Sequence, residues 1–558
     1  MKRTLAMDCS FVRDTADRPS IWGFDVATDG IVDALLRYGT YDRYILFYPP
    51  GRRPDRLVRG EHGRPTVDLR FQLTPAIPAE IASGDITTWF QPDTRTLTVN
   101  YRTAFGRTPF PFATLIHTAW ASHLIRKRYL WMLIDGFAPC DSVICTSRAV
   151  RRTISDTLDY LVDEMRTYSG AHLKYRGRLD VLPLGVDTQR FKPQPKPGVR
   201  RILGWPDDAF IILWLGRFSA VDKADLLPAL RMFRHLLQTN TRTRLLFVLA
   251  GKDQRDIPFL PSMREFATSM GVAEQILVLD DTSTEQSHRL FAAADVFFSP
   301  VDSFQETFGI TPVEAMACGT PQVVADWDGY KDTTVHGVTG YRIPTYWHWP
   351  ADVQTNYGLG GTEYVGFLLS QSVVIDLREC QAALQRLIDD PDLRESMSRA
   401  SRKRALEVFR WQSVVERYEE LWTELGTIAR ALKHQDLPTS PFLHDGPQRF
   451  SGFPTAILDG SEPVAISDDG CKLLSGADPF PWHSSLERAL VDGDDLMAIL
   501  DLVRRHPGTL SQVAARLATD KPERAPVAFR ALLWAMKHGL LDYQVFAHPS
   551  REAGFARS

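Results

Sequence analysis

The chain has 558 residues, too many for one hydrophobic core, so it should divide into roughly three or four domains. Hydrophobic residues make up 44% and charged ones 24%, an ordinary globular balance that excludes wholesale disorder. A formal net charge of -3 removes the whole-protein electrostatic footprint of a dedicated nucleic-acid binder, leaving room only for a local basic patch.

The six cysteines (Cys9, Cys140, Cys145, Cys318, Cys380 and Cys471) form no CxxC pair and show no metal-ligand spacing. That argues against a disulfide framework or a zinc site and fits a reducing cytoplasm. The start, MKRTLAMDCSFVRD, is basic, but Asp8 and Arg13 interrupt the apolar run before a signal-peptide core can form. No stretch approaches the ~18 consecutive apolar residues a spanning helix needs.

In chain order, the first two-thirds alternates short apolar runs with longer helical patterns, as a parallel sheet wrapped by helices does. TLAMDCS, YILFYP, VDLRFQL, FATLIH and SVICTS are the strands expected first, with amphipathic helices such as 26–38 and 119–134 between them. Pro183, Pro193, Pro195 and Pro197 crowd 181–201, which predicts an interdomain linker. A second array follows: FIILWLG, RLLFVLAG, QILVLD, DVFFSP and PQVVAD. These runs are continuous rather than alternating, so both faces should be covered, as in doubly wound sheets. Two such α/β arrays imply a cleft at the carboxyl ends of the strands, the default ligand site. Residues 345–375 break the pattern with aromatic and glycine-rich sequence that reads as an insertion, and helices resume over 376–433.

Three places could carry chemistry. In SPVDSFQETFGITPVEAMACGTPQVVADWDG, Glu306 and Glu314 flank Phe308-Gly309-Ile310, and a helix follows at once. Gly309 permits close backbone approach, and the N–H groups of a helix start bind anions such as a diphosphate. Thr311-Pro312-Val313-Glu314 equally fits a capping box with proline in the first turn, and a solvated loop would account for Glu306. In LWLGRFSAVDKADLLPAL, Gly216 closes an apolar strand, and Arg217 and Lys223 follow on the loop, placed to neutralise a phosphate-bearing leaving group or simply as surface charges. His117, just past FATLI, is either a packing residue or a third member of the same cleft.

Together, PLGVDTQRFKP, GRFSAVDK, LLFVLAGKD, LFAAADVFFSP and ETFGITPVEAMACGTPQVV resemble the retaining glycosyltransferases of family 4, and DSVICTSRAVRRTI and RWQSVVERYEELW are similar to that family's last N-domain strand and closing helix. The resemblance covers about residues 1–433 and is strongest over 179–343. It implies an α/β, GT-B fold: two Rossmann-like doubly wound domains facing a cleft, here with a small, mainly helical C-terminal domain. The expected boundaries are 1–178 for the acceptor-side domain, completed by a closing helix 411–433, and 179–410 for the nucleotide-sugar domain. A linker at 434–481 and a C-terminal domain at 482–558 should follow.

The resemblance also implies roles. Arg217 and Lys223 would hold the donor diphosphate, Glu314 the ribose hydroxyls, and Glu306 the donor sugar near the reacting carbon. Backbone N–H groups of Phe308, Gly309 and Ile310 would bind sugar and phosphate, with Gly216 at the strand end and His117 across the cleft. The implied reaction moves a hexose from a nucleoside diphosphate sugar to an acceptor hydroxyl with retention, without metal or other cofactor. A GT-B scaffold kept for nucleotide-sugar binding, with its C-terminal domain as the working end, is the alternative, and a sugar-nucleotide epimerase fits the motifs less well.

Three departures from the family pattern stand out. RDTADRPSIWGFDVATDG replaces the usual glycine-rich loop after the first strand and leaves Gly23 as its counterpart; Asp328-Gly329 replaces a Gly-Gly pair; and the 345–375 insertion has no usual equivalent. Asp492-Gly493-Asp494 matches a metal-binding string of another fold, but its place before an apolar helical pattern suits a solvated helix cap. HLIRKRYLWMLI (123–134) is the candidate peripheral membrane contact, through Arg126, Lys127, Arg128, Tyr129 and Trp131, with the outer face of an N-domain helix as the plainer reading. Residues 482–545 resemble a winged-helix module. Eight basic residues meet eight acidic ones there, so docking to protein or self-association is expected in place of DNA binding.

Overall fold

The structure, a computed structural model, describes residues 2–9, 23–49, 57, 67–93, 99–106, 108–119, 123–253, 258–280, 282, 286–349, 351, 362–438, 450, 452–479, 491, 493–520 and 525–544. The chain divides into two units, Met1–Tyr48 with Pro54–Pro441, and Pro49–Arg53 with Phe442–Ser558.

The large unit holds two parallel sheets. The first has seven strands in the order β3-β2-β1-β4-β5-β6-β7: β1 Thr4–Asp8, β2 Arg43–Tyr48, β3 Asp68–Leu73, β4 Thr88–Gln91, β5 Phe112–Ile116, β6 Ser142–Cys145 and β7 Arg178–Val181. The second has six, β10-β9-β8-β11-β12-β13: β8 Ala209–Phe218, β9 Arg244–Asp253, β10 Ile276–Asp280, β11 Val296–Ser299, β12 Gln322–Ala325 and β13 Gly340–Ile343. Central strands are covered on both faces, so they read as unbroken apolar runs: TLAMD is buried throughout, as is FATLI. In each sheet the order reverses beside the first strand, at β1/β4 and at β8/β11, which opens a crevice at the carboxyl ends.

Three strands of these two sheets go beyond the sequence expectation. TWFQ and GYRI are only four residues long and follow polar or glycine-bearing turns, and RLDV is a half-buried edge strand, so none carries a run long enough to stand out. The expected 178/179 boundary falls inside β7.

Helix Trp411–Ala431 returns to the first sheet and joins the two domains. Its Val414, Tyr418, Trp422 and Leu425 are buried in a core shared with Leu5, Phe90 and Leu213. Glu419 accepts from Thr40 N at 2.7 Å and from its Oγ1 at 2.5 Å, which pins the helix to the loop before β2. The insertion forms an antiparallel pair, β14 Thr345–Trp347 and β15 Val373–Ile375, with a helix Thr362–Gln371 between them.

The smaller unit is a three-stranded antiparallel sheet of β16 Pro463–Ile466, β17 Gly508–Thr509 and β18 Leu541–Tyr543 in the order β17-β16-β18, with helices Asp468–Leu474, Gly493–Arg505, Leu510–Asp520 and Ala525–Lys537. Leu496, Ile499, Leu500, Leu510, Val513 and Leu532 form its core. The linker expected at 434–481 needs correction, because strand β16 Pro463–Ile466 and helix Asp468–Leu474 belong to this unit. A short strand with a proline at its head gave no alternation to detect. Leu541–Tyr543 (β18) closes the unit's sheet at its far end in sequence. Asp492 lies outside the described residues, and Gly493 and Asp494 open the helix Gly493–Arg505.

Tyr129 and Met132 of helix His123–Ile134 are buried in the first domain's core, and only Lys127 and Trp131 among its described basic and aromatic residues are exposed. Among the described side chains the basic-aromatic run is therefore not one continuous surface, in keeping with the plainer reading as the outer face of an N-domain helix; the Arg126 side chain lies outside the described residues. Among the described residues no helix is long and apolar enough to cross a membrane.

Candidate active site

The carboxyl end of β8 supplies the two cations. Arg217 still lies within the strand, opposite Lys252 of β9, one step earlier than the loop position expected for it. Its Nη1 is 2.8 Å from Oδ2 of Asp222, a carboxylate only 7% exposed. Ser219 Oγ accepts from Asp222 N at 3.2 Å, so a tight turn aims the carboxylate that aims the guanidinium. Gly216 has a visible reason: a Cβ there would sit 3.1 Å from Lys223 Cε and 3.0 Å from Trp214 Cζ2. The missing side chain lets Lys223 fold back across the strand end.

Lys223 Nζ lies 2.8 Å from Glu306 Oε2, the side chains 17% and 14% exposed. The other carboxylate oxygen of Glu306 accepts from Gly309 N at 2.9 Å. Burial alone would push this carboxyl up, but Lys223 and the backbone N–H groups outweigh it and hold the group below its ordinary value. Burial opposes the Lys223 ammonium too, and Glu306 more than offsets that and keeps it charged.

Gly309 caps the helix Ile310–Ala317 in the left-handed region at φ 87°, and a Cβ there would meet Tyr330 Cε1 at 2.3 Å. Tyr330 is fully buried, its hydroxyl 2.9 Å from Ser299 Oγ. No side chain caps this helix, so Thr311 and Glu314 do not form a capping box. The helix start therefore leaves its first N–H groups without a side-chain cap, and the Glu314 carboxyl has no hydrogen-bonding side chain among the described residues. Burial pushes Glu314 up to about 8, against the opposing pull of Arg190 and Lys223. Two carboxyls on one loop-helix segment thus carry different charges at neutral pH.

The first domain meets this segment directly. Thr307 Oγ1 donates to the carbonyl of His117 at 3.0 Å, and Thr307 O accepts from Thr146 Oγ1 at 3.1 Å. The His117 ring is held by Pro92 O at 2.7 Å and edge-on by Phe24 at 4.9 Å, which places it at the carboxyl edge of β5. Ser147 Oγ donates to Asp328 Oδ1 at 2.9 Å, and Arg148 binds Asp332 through N and Nε, each at 2.7 Å. Burial is the main cause that raises Asp328 to about 7.

Arg217, Lys223, Glu306, Phe308, Gly309, Ile310 and Glu314 therefore converge at the ends of β8 and β11. Phe308 is buried with its ring 6.0 Å from Phe409, so only its backbone can face a ligand. Gly23 opens helix Gly23–Tyr38 with nothing within 4 Å of its Cβ position. The loop before it, 10–22, lies outside the described residues. Sequence reasoning missed Asp222, Tyr330, Thr307 and the Thr146-Ser147-Arg148 clasp. Asp222 sits inside the quoted GRFSAVDK motif, where a carboxylate five positions after the arginine was the available signal; the others had none.

Two Rossmann-like sheets facing a crevice define a GT-B glycosyltransferase fold. Solved structures share it: the chain matches sucrose-phosphate synthase from Thermosynechococcus elongatus with a TM-score of 0.51 at 17% identity, covering 76% of this chain and 100% of that one. It matches Anabaena Alr3699/HepE in complex with UDP with a TM-score of 0.51 at 16% identity, over the same shares.

Residues 196–351 match the family Glycosyl transferases group 1. Similar curated proteins include the D-inositol 3-phosphate glycosyltransferases of Thermobispora bispora, 26% identical over 44% of this chain and 50% of the relative, and of Geodermatophilus obscurus, 33% identical over 41% and 50%. The chain thus spans about half the length of the curated relatives it matches.

Proposed function

We propose that the protein is a retaining glycosyltransferase that moves a hexose from a nucleoside diphosphate sugar to an acceptor hydroxyl. The observation that carries this is the Lys223–Glu306 pair at 2.8 Å beside the open start of the Ile310–Ala317 helix, with Arg217 aimed by Asp222 on the same strand end. When the bond between the anomeric carbon and the diphosphate breaks, the electron pair leaves with the phosphate oxygen. Arg217, Lys223 and the helix N–H groups meet that charge where it develops, and the proton lost by the acceptor oxygen balances it. This cationic cradle fits a transfer that draws on no metal ion. Glu306 stays ionised beside the sugar, and Glu314 accepts from the ribose hydroxyls.

The test is transfer from radiolabelled donors. Arg217→Ala or Lys223→Ala should slow turnover ~100–1,000-fold with the fold retained. Near-normal rates in both would overturn the assignment. UDP is the first nucleotide to try, because the Anabaena neighbour was solved with it. We read the C-terminal unit as a protein-docking module, supported by its balanced charge, which lacks the cationic surplus that phosphate backbones require.

A further inference from the structure

We propose that the aromatic run Trp347–Trp349 of the insertion, with Phe304 at its base, is a stacking platform for the hexose rings of an oligosaccharide acceptor. The proposal rests on the transferase reading and names the acceptor class for the same site.

Tyr346, Trp347 and Trp349 are 57%, 42% and 56% exposed, an apolar display that folding alone does not explain. The platform is continuous with the candidate active site. Phe304, two positions before Glu306, lies 5.2 Å from the Trp347 ring and 5.0 Å from that of Trp327, and Trp327 Nε1 donates to Ser303 O at 2.9 Å. Trp347 and Trp349 are a further 5.1 Å apart. The Trp347 and Trp349 rings are inclined to each other at 54°.

The base of the platform is fixed. Val365 and Leu369 of the helix Thr362–Gln371 are buried against Phe304. Ser370 Oγ donates to Val221 O and Gln371 Nε2 to Asp225 Oδ2, each at 3.3 Å, so one helix braces both the Glu306 and the Lys223 loops. A rigid aromatic face costs little entropy on binding.

The chemistry selects the ligand. Thr345–Trp349 contains no Lys, Arg, Asp or Glu, whereas attraction to an anionic bilayer relies on basic residues. Pyranose rings present a C–H face to an aromatic ring and hydroxyls at the rim, where the indole N–H of Trp349 and the His348 ring can meet them.

Tryptophan fluorescence and calorimetry with maltohexaose, cellohexaose and mannohexaose test this on the full chain, beside UDP as a control for an intact donor site. At least one oligosaccharide should bind the native protein. Trp349→Ala should weaken it about tenfold or more, while Trp349→Phe should retain most of the affinity and UDP binding should persist in both. No binding by any of the three sugars, or equal binding by Trp349→Ala, would overturn the platform. So would binding to phosphatidylcholine vesicles in place of sugars. Failure of the native protein to bind UDP would instead count against the transferase reading itself.

Discussion

Replacing Lys223 by methionine keeps the aliphatic stem and removes the ammonium, and two separable losses should follow. The ammonium is 2.8 Å from Glu306, with side chains 17% and 14% exposed. Removing one partner of a buried pair costs about 3–5 kcal/mol because the other charge is stranded, and the residual exposure puts this case near about 3 kcal/mol. The native Glu306 carboxyl sits below its ordinary value of 4.5, so its contribution is present above that pH and is lost as pH falls through the folded value. Without Lys223, burial dominates and the sign reverses: the carboxyl rises, and the variant should be relatively more stable at pH 5 than at pH 8. Adding Glu306→Gln removes the stranded charge and should recover most of the stability at pH 8, yet transfer should stay ~100–1,000-fold down because the diphosphate still lacks its cation. Urea unfolding of both single variants and the double at the two pH values, with transfer rates alongside, reads both losses. A Lys223→Met protein as stable as the native one at pH 8, or a double variant that regains turnover, would refute the reasoning.

Glu314, pushed up to about 8, is largely protonated at neutral pH in the empty protein. Ribose hydroxyls that donate to its carboxylate favour the ionised form, so nucleotide binding should release a proton and tighten as pH rises toward 8. Calorimetry in buffers of different ionisation enthalpy should show this release in the native protein and its loss in Glu314→Gln; equal release by both would count against the ribose contact. Asp328, raised from 3.8 to about 7, binds its proton more tightly folded than unfolded, so its contribution to stability falls as pH rises across that window. Asp328→Asn keeps an acceptor for Ser147 and tolerates the observed φ of 37°, and should gain on the order of 1–2 kcal/mol over the native protein at pH 8 but not at pH 4. Gly309→Ala meets both a positive φ and the Tyr330 ring, and should cost about 1–3 kcal/mol in urea unfolding and abolish the thermal shift with UDP. An alanine variant with native stability would show that the loop relaxes freely.

The fold was legible where strands are buried on both faces: β8, with IILWLG, leaves no alternation to misread, and the crevice follows from two such arrays. Arg217, Lys223, Glu306 and Glu314 could be singled out because each lies near a glycine-bearing strand end or helix start, but spacing alone fitted surface charges and a capping box equally, and their proposed roles rest on the family resemblance. What stayed hidden depends on distant chain. Tyr330 becomes meaningful only once Gly309 has brought the backbone against its ring, whereas Asp222, five positions after Arg217, had a local signal that went unread. The capping-box reading of Glu314 failed for a similar reason: Gly309, held by the Glu306 carboxylate, starts the helix before Thr311 can cap it.

Glu306 and Glu314 share chemistry and nearly the same sequence position, yet environment assigns them opposite charge states. Glu306 has an ammonium and a backbone N–H as partners; Glu314 has burial and only more distant cations. Carboxyls separated in this way can take different tasks at one pH. On the transferase reading, the ionised one stands where positive charge grows on the sugar, and the neutral one waits for the ribose. Thr307 ties this division to the other domain, through its hydroxyl on His117 O and its carbonyl under Thr146 Oγ1. It is the neighbour of Glu306, so a movement between the two sheets must pull on the segment that holds the Lys223–Glu306 pair. On the transferase reading, the donor-site electrostatics and the contact between the two sheets are joined at Thr307, and Thr307→Ala should lower transfer rate and thermal stability together.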